Sequence, residues 1–360
     1  MSERADLYRA VLDAPDDDAP RLVYADWLDE HGEPERAEFI RVQCAAARIP
    51  AQTARWRPLD DRAERLYREW RSRWAGPTLE HALSADFQRG CVDRVALTID
   101  QFLASADELL DREPVRVWEF KAVAFFLRSP SFPRLANHPA FGRVRGLAIG
   151  QFAPDELVRA VAESPHLGRL RSLAVTYHLP GAEAIAALFD AAPHLGHLEA
   201  VDAPVSNFHK LWRRGAVARL RRLSLVHCRV SDHVVEQMSS SPAMRNLESL
   251  RLDLNDVSER GAAALANSEF VHELRELSLA ETSLGDRGVI ALARSPVVRD
   301  LKVLNLANCH VDNSGAQALA DSPYLNELEC LCLDGNRIGV EVERELEKRF
   351  GPGVCSFSWP

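Results

Sequence analysis

The sequence predicts an α/β solenoid preceded by a small all-α N-terminal domain, and three observations carry that prediction. Leucines recur at one fixed interval of 27 residues along the second half of the 360-residue chain. Within each interval a short apolar alternation gives way to an alanine-rich stretch, in most units closed by a proline preceded by a small residue. The first 78 residues lack that interval and carry helical stripes instead.

A fixed period between about 20 and 50 residues marks a stacked repeat architecture. Leu220, Leu247, Leu274, Leu301 and Leu328 are spaced by 27; so are Leu223, Leu250, Leu277, Leu304 and Leu331, and so are Leu225, Leu252, Leu279, Leu306 and Leu333. A fourth comb, Cys228, Asn255, Thr282, Cys309 and Asn336, holds small residues able to hydrogen-bond. Together they spell L-x-x-L-x-L-x-x-(N/C/T). Alternation at the middle of the string puts Leu304 and Leu306 on one face of a short strand and Asn305 on the other. Stacked copies then form a parallel sheet with a leucine inner face. The Asn, Cys or Thr position falls where the strand turns and leaves backbone groups to be satisfied in the interior.

The second half of each unit reads as helix. Gly261, Gly288 and Gly315 keep the same interval and precede alanine- and leucine-rich runs such as Ala262–Ala266, which favour helix. Ser241-Pro242, Ser295-Pro296 and Ser322-Pro323 close these helices, since proline removes a donor and biases the preceding residue away from helical geometry. Backwards along the chain the register loosens to Leu195, Leu170, Val144 and Val115, giving nine units from Val115, with Val92 to Asp111 as an atypical first one. Gly339 to Phe350 reads as a last helix and Gly351 to Pro360 as a tail that packs Trp359 over the final repeat.

The string resembles the leucine-rich-repeat consensus of the ribonuclease-inhibitor type. With a helix on the outer side of each unit, stacking predicts a horseshoe with a concave parallel β-sheet and convex helices.

In the N-terminal segment, Leu7, Val11 and Leu12 form one helical stripe and Leu22, Val23, Trp27 and Leu28 the next, which Pro20 opens and His31-Gly32 stops. Pro34 opens a third helix with Ala37, Phe39, Ile40 and Val42, and a fourth runs from Leu59 through Ala63, Leu66, Trp70 and Trp74. The run from Asp17 to Gly32, continued by Arg36 to Arg41 and by the Phe87-Gln88-Arg89-Gly90 junction, resembles the repeat-companion domain found ahead of leucine-rich repeats in some bacteria. That resemblance implies a multidomain binding protein and supplies no catalytic residues. The division expected is a helical repeat-companion-like domain over 1–78, a junction and atypical capping repeat over 79–114, the array over 115–340, and a C-terminal cap and tail over 341–360.

Composition limits function. Hydrophobic residues make up 46% and charged residues 27%, enough for a sizeable core. The net charge of -9 is spread out and argues against nucleic acid, which asks for a concentrated basic surface. Seven cysteines without framework spacing, and charges in Met1-Ser2-Glu3-Arg4, point to free thiols in the cytoplasm and not to secretion. Apolar runs such as Val115 to Leu127 are broken by charges, so no membrane span is expected. A monomer is expected.

Side chains between the strand leucines form the expected partner-binding face: Lys121, Thr176, Glu199, Arg222, Ser224, Arg251, Asp253, Glu276, Ser278, Asn305 and Asp334, flanked by Cys332, His197 and Val303. More acid than base in the later units favours a partner that presents basic groups. Solenoids offer such surfaces to proteins, so the leading reading is a non-catalytic protein–protein interaction scaffold. The alternative is a bacterial effector or regulator with ubiquitin-ligase-like or other enzymatic activity in the N-terminal domain, where Cys44 is the available nucleophile.

Other candidates read as structural. Trp27 is expected in a core, Asp26 and Asp29 in solvent or paired with Arg21, and His31 at a helix C-terminus. His272-Glu273 lacks the second histidine of a zinc-protease helix and falls on a strand. Cys330 and Cys332 supply two metal ligands where four are needed, and Cys228 and Cys309 are buried ladder thiols. The arginines at 55, 57, 62, 65, 68, 71 and 73 are interspersed with acids and read as a solvated helix face. No phosphate loop, serine elbow or kinase signature occurs, and neither cofactor nor metal is expected.

Overall fold

The computed structural model describes residues 3–49, 56–121, 131–150, 155–177, 181–203, 211 and 215–357. Arg55 and Trp359, and with it the expected packing over the final repeat, lie outside the described residues. The chain divides into two compact units, Met1–Ile149 with Ser164–Leu170, and Gly150–Glu163 with Arg171–Pro360.

The first unit begins with four helices, α1 (Glu3–Asp13), α2 (Ala19–Glu30), α3 (Pro34–Ala46) and α4 (Trp56–Leu79). Proline in the first turn opens α2 and α3, where its missing N–H costs nothing. His31 caps α2, and Gly32 turns the chain at φ +82°. Val11, Ala25, Leu28, Ala37, Ile40 and Cys44 form one apolar cluster, and Phe39, Ala63 and Leu66 a second.

A hairpin follows: β1 (Ser84–Gln88) and β2 (Cys91–Leu97) run antiparallel through a tight turn with both Arg89 and Gly90 at positive φ. Gly90 donates its N–H to Gln43 Oε1 at 2.7 Å, and a Cβ there would lie 2.5 Å from Ile40 Cα, so the turn needs glycine for both angle and space. Arg89 donates to the Asp16 carbonyl at 2.7 Å. The junction motif thus docks the hairpin onto the helices. β2 pairs in parallel with β3 (Val117–Phe120), and β3 with β4 (Gly146–Ile149); between β2 and β3 lies α5 (Ile99–Arg112), opened by a Thr98–Gln101 capping box.

The second unit is a stack of parallel strands, β5 (Ser172–Thr176), β6 (His197–Val201), β7 (Arg222–Val226), β8 (Ser249–Arg251), β9 (Glu276–Ser278), β10 (Val303–Asn305), β11 (Cys330–Cys332) and β12 (Cys355–Ser356), each beside the next. Register turns the sequence comb into a ladder: Leu173, Leu198, Leu223, Leu250, Leu277, Leu304 and Leu331 are successive cross-strand partners, none more than 1% exposed. Helices such as Asp232–Ser239, Glu259–Ala266, Gly285–Ala293 and Asn313–Ala320 follow the strands and bury apolar faces. The tail does more than expected, since Cys355–Ser356 adds a strand beside β11.

Within the second unit, hydrogen bonds stitch each repeat to the next. Asn255 Oδ1 accepts from the N–H groups of Cys228 and Val230 at 2.9 and 3.0 Å, while its Nδ2 donates to the carbonyls of Leu225, Leu252 and Asp253. Asn336 does the same for Cys309, Val311, Leu306 and Leu333. The serines before the prolines do more than stop a helix. Ser295 and Ser322 each donate to a carbonyl at the end of the preceding repeat's helix, Ala266 and Ala293, both at 2.5 Å, and Ser268 does so to Ser239 without any proline following.

Two members of the glycine comb share a cause. Gly261 and Gly315 have ordinary φ, but a Cβ would lie 2.7 and 2.6 Å from the Asp232 and Asp286 carboxylates, which accept from the N–H of each glycine. These aspartates, one repeat back, satisfy the orphan donors of the following helix.

Candidate partner-binding face

On strands β5 to β11 of the second unit leucine points inward and its neighbours point to the open face. Register aligns those neighbours in two rows. One runs His197, Arg222, Ser249, Glu276, Val303 and Cys330; the other runs Glu199, Ser224, Arg251, Ser278, Asn305, Cys332 and Ser356.

The expected site residues divide by exposure. Arg222, Arg251 and Glu276 are exposed, and Thr176, Glu199 and Asp334 are partly so. Ser224, Asp253, Ser278 and Asn305 are buried, none more than 9% exposed. Asp253 is occupied: Arg251 Nη2 donates to it at 3.0 Å, the Ala280 N–H at 3.0 Å, and the Ser278 hydroxyl closes the group. Asn305 accepts from the Ala307 N–H at 3.1 Å, and the Ser356 hydroxyl donates to Asp334 at 2.9 Å. Burial holds the His197 imidazole below its usual range, against the opposing pull of Glu199. Lys121 belongs to the first unit, at the end of β3, exposed and paired with Glu119.

A further row lies at the carboxyl ends of the strands. Tyr177, Asp202, His227, Leu254, Glu281 and Asn308 all have φ between +52° and +66°, and Gly335 continues the row at +70°. Each N–H from Tyr177 to Asn308 donates to a carbonyl of the following repeat, for example Leu254 to Ala280 at 2.9 Å. Left-handed backbone on leucine and glutamate is held only where surroundings over-determine it. Tyr177 and Leu254 are 60% and 43% exposed, which sets apolar groups beside the charged rows. This row was missed in the sequence, although its last five members keep the 27-residue interval and end in Asn308 and Gly335, the types that tolerate that backbone.

The other candidates resolve into packing. Asp26 and Asp29 pair with Arg41 at 2.8 and 2.9 Å, not with Arg21, which is buried and donates to the carbonyls of Asp17 and Pro15. Trp27 is partly buried and stacks on His31, ring centroids 3.9 Å apart. Of the arginine run, Arg62 bonds Glu38 at 2.6 Å and Arg68 bonds Glu64 at 2.9 Å.

All seven cysteines are free thiols. Cys44 is fully buried, and burial pushes its thiol up to about 12. Cys228 and Cys309 lie against the carbonyls of Ala200 and Leu279 at 3.3 and 3.0 Å, both pushed up to about 11, again mainly by burial. Cys330 and Cys332 sit 3.9 Å apart and buried, so Cys332 does not present its thiol on the open face. Among the described residues, no group of three or more His, Cys, Asp or Glu side chains is placed to hold a metal, and no helix is long and apolar enough to cross a membrane.

A family model described as Leucine Rich repeat matches residues 243–266, 272–293 and 299–320. No curated relative matches the sequence. Solved structures of similar fold include an internalin from Listeria monocytogenes, at 14% identity over 73% of this chain and 78% of that one, TM-score 0.41. A protein from Bacteroides fragilis aligns at 14% identity over 71% and 76%, TM-score 0.46, and a chain of the Rad7 and Elc1 complex from yeast at 15% over 73% and 74%, TM-score 0.45.

Proposed function

We propose that the chain is a non-catalytic scaffold that binds a protein partner on the open face of its leucine-rich-repeat sheet. The observation that carries this reading is the asymmetry of the sheet: one side is sealed by leucine, while the other exposes Arg222 and Glu276 in one cross-strand row and Arg251 in the next, with exposed Tyr177 and Leu254 at the carboxyl ends of strands. Backbone hydrogen bonds fix those positions from repeat to repeat, so little ordering entropy remains to be lost on association. Both charge signs are present, with Arg251 already engaged by Asp253 and Glu276 in no ion pair among the described residues, which favours a partner with a basic group over the later strands.

The alternative, an enzyme in the N-terminal domain, loses its nucleophile, because a fully buried thiol held as the neutral form is a poor attacker. We place the protein in the cytoplasm as a monomer, with the helices of the first unit in the role of a bacterial repeat-companion domain.

The test is affinity capture with three forms of the intact chain: wild type, the double reversal Arg251→Glu with Glu276→Arg, and a helix-side control, Arg344→Glu. The expected outcome is a partner protein retained by wild type and control and reduced about tenfold or more by the double reversal. Equal capture by all three forms contradicts the proposal.

A further inference from the structure

Within the first unit a cavity of about 520 Å³ opens between α1, α2, α3, α4 and the end of α5, a volume inside the roughly 300–1,000 Å³ range of small-molecule sites. Arg4, Tyr8, Tyr24, Arg36, Trp74 and Glu113 line it. These residues come from separated stretches of sequence, so the pocket exists only because the helices pack.

Arg36 is the unusual member. Its guanidinium carbon lies 4.8 Å from the Trp74 ring centre, 5.0 Å from Phe87 and 5.6 Å from Phe39. It makes no hydrogen bond or ion pair among the described residues, and its Nη1 is buried without an acceptor. Aromatic faces surround the guanidinium, Glu113 acts on it through charge alone, and the buried Nη1 lacks the hydrogen-bond acceptor it is shaped for. The nearby acids are already engaged. Glu33 is bound by Arg4 at 2.6 Å, and Glu113 accepts from Tyr8 at 2.7 Å and from the Thr78 hydroxyl at 3.4 Å.

We propose that this cavity binds a small organic monocarboxylate with a planar ring-containing body, its carboxylate on Arg36 and its ring against the wall of Tyr8, Tyr24 and Trp74. A carboxylate matches the flat guanidinium fork. A doubly charged phosphate meets Glu113 as well, which makes one negative charge the better fit. The groups facing Glu113 are Tyr8 from α1, Arg36 from α3, Thr78 from α4 and Cys91 from β2. Burial raises the titration of Glu113, so at low pH it is a neutral neighbour and at higher pH a repelling one.

Calorimetric titration of the full chain with 2-naphthoate, 2-naphthalenemethanol and 2-naphthyl phosphate tests this. Naphthoate is expected to saturate one site, with the alcohol and the phosphate each bound at least about tenfold more weakly. Arg36→Met and the milder Arg36→Lys are expected to weaken naphthoate about tenfold or more, with folding followed by thermal unfolding. Glu113→Gln leaves the Arg36 stack in place; it is expected to retain binding and to remove the decline in affinity as pH rises. The absence of a saturable site, equal binding of the alcohol, tighter binding of the phosphate, or Arg36 variants that bind like wild type each overturns the proposal.

Discussion

Asn255 satisfies five backbone groups with one side chain, three in the strand and turn behind it and two in its own loop. Truncation leaves buried donors and acceptors unpaired, at about 1–3 kcal/mol each and with partial relief from local relaxation. Asn255→Ala is therefore expected to cost about 2–4 kcal/mol in urea unfolding, and Asn255→Thr less, since Thr282 fills the same place in the next repeat and donates to the Leu279 carbonyl. Gly90 is the counterpart in the first unit. Its φ of +79° and the approach of Ile40 both oppose a methyl group, so Gly90→Ala is expected to lose about 2–4 kcal/mol by the same measurement. The ladder position was legible from the comb of Cys, Asn and Thr. The need at Gly90 was visible only as a motif, because the obstructing Ile40 lies fifty residues away in the chain.

At the scale of elements, aspartates at helix starts explain two members of the glycine comb, Gly261 and Gly315, whereas at Gly288 a side chain would crowd Ala262 and Leu284 at 3.2 Å. Asp232 accepts from the Ser258 N–H at 2.7 Å, the Gly261 N–H at 3.0 Å and the Ser258 hydroxyl at 2.5 Å. Burial alone pushes the Asp232 carboxyl up, but these donors, led by the Ser258 hydroxyl, outweigh it and hold the group below the ordinary carboxylate range. A carboxyl with a depressed folded-state pKa adds stability at neutral pH that is lost as pH falls through that range. Asp232→Asn is accordingly expected to flatten the acid side of the stability–pH profile without shifting its alkaline side. Gly315→Ala, whose methyl would meet the Asp286 carboxylate at 2.6 Å, is expected to cost about 1–3 kcal/mol in thermal or urea unfolding.

The elements themselves were largely readable, because a 27-residue leucine comb with alternation has only one stacked solution. The two-residue strand β12 was not, since it is too short to show any alternation. Nor was the burial of Ser224, Asp253, Ser278 and Asn305. Alternation states which face a side chain takes, but neighbours about 4.8 Å away on adjoining strands cover a short side chain there. Asp253 also turns to bond Ser278 and Ala280, partners that only the register between repeats supplies.

At the scale of the molecule, two units carry two chemistries. The first holds a polar cavity among helices, and the second a sheet whose leucine side is sealed and whose other side is open. Sealing of one side fixes the backbone, while Arg222 and Glu276 are exposed and make no ion pair among the described residues, and Arg251 is exposed with Asp253 as its partner. The central claim is that these rows meet the partner. Site-specific photo-crosslinking tests it most directly, with a photoreactive residue placed in turn at 222, 251 and 276 on the open face and at 260 and 344 on the helices. Adducts to one protein from the sheet positions and none from the helix positions are the predicted result; adducts confined to the helix positions would contradict it.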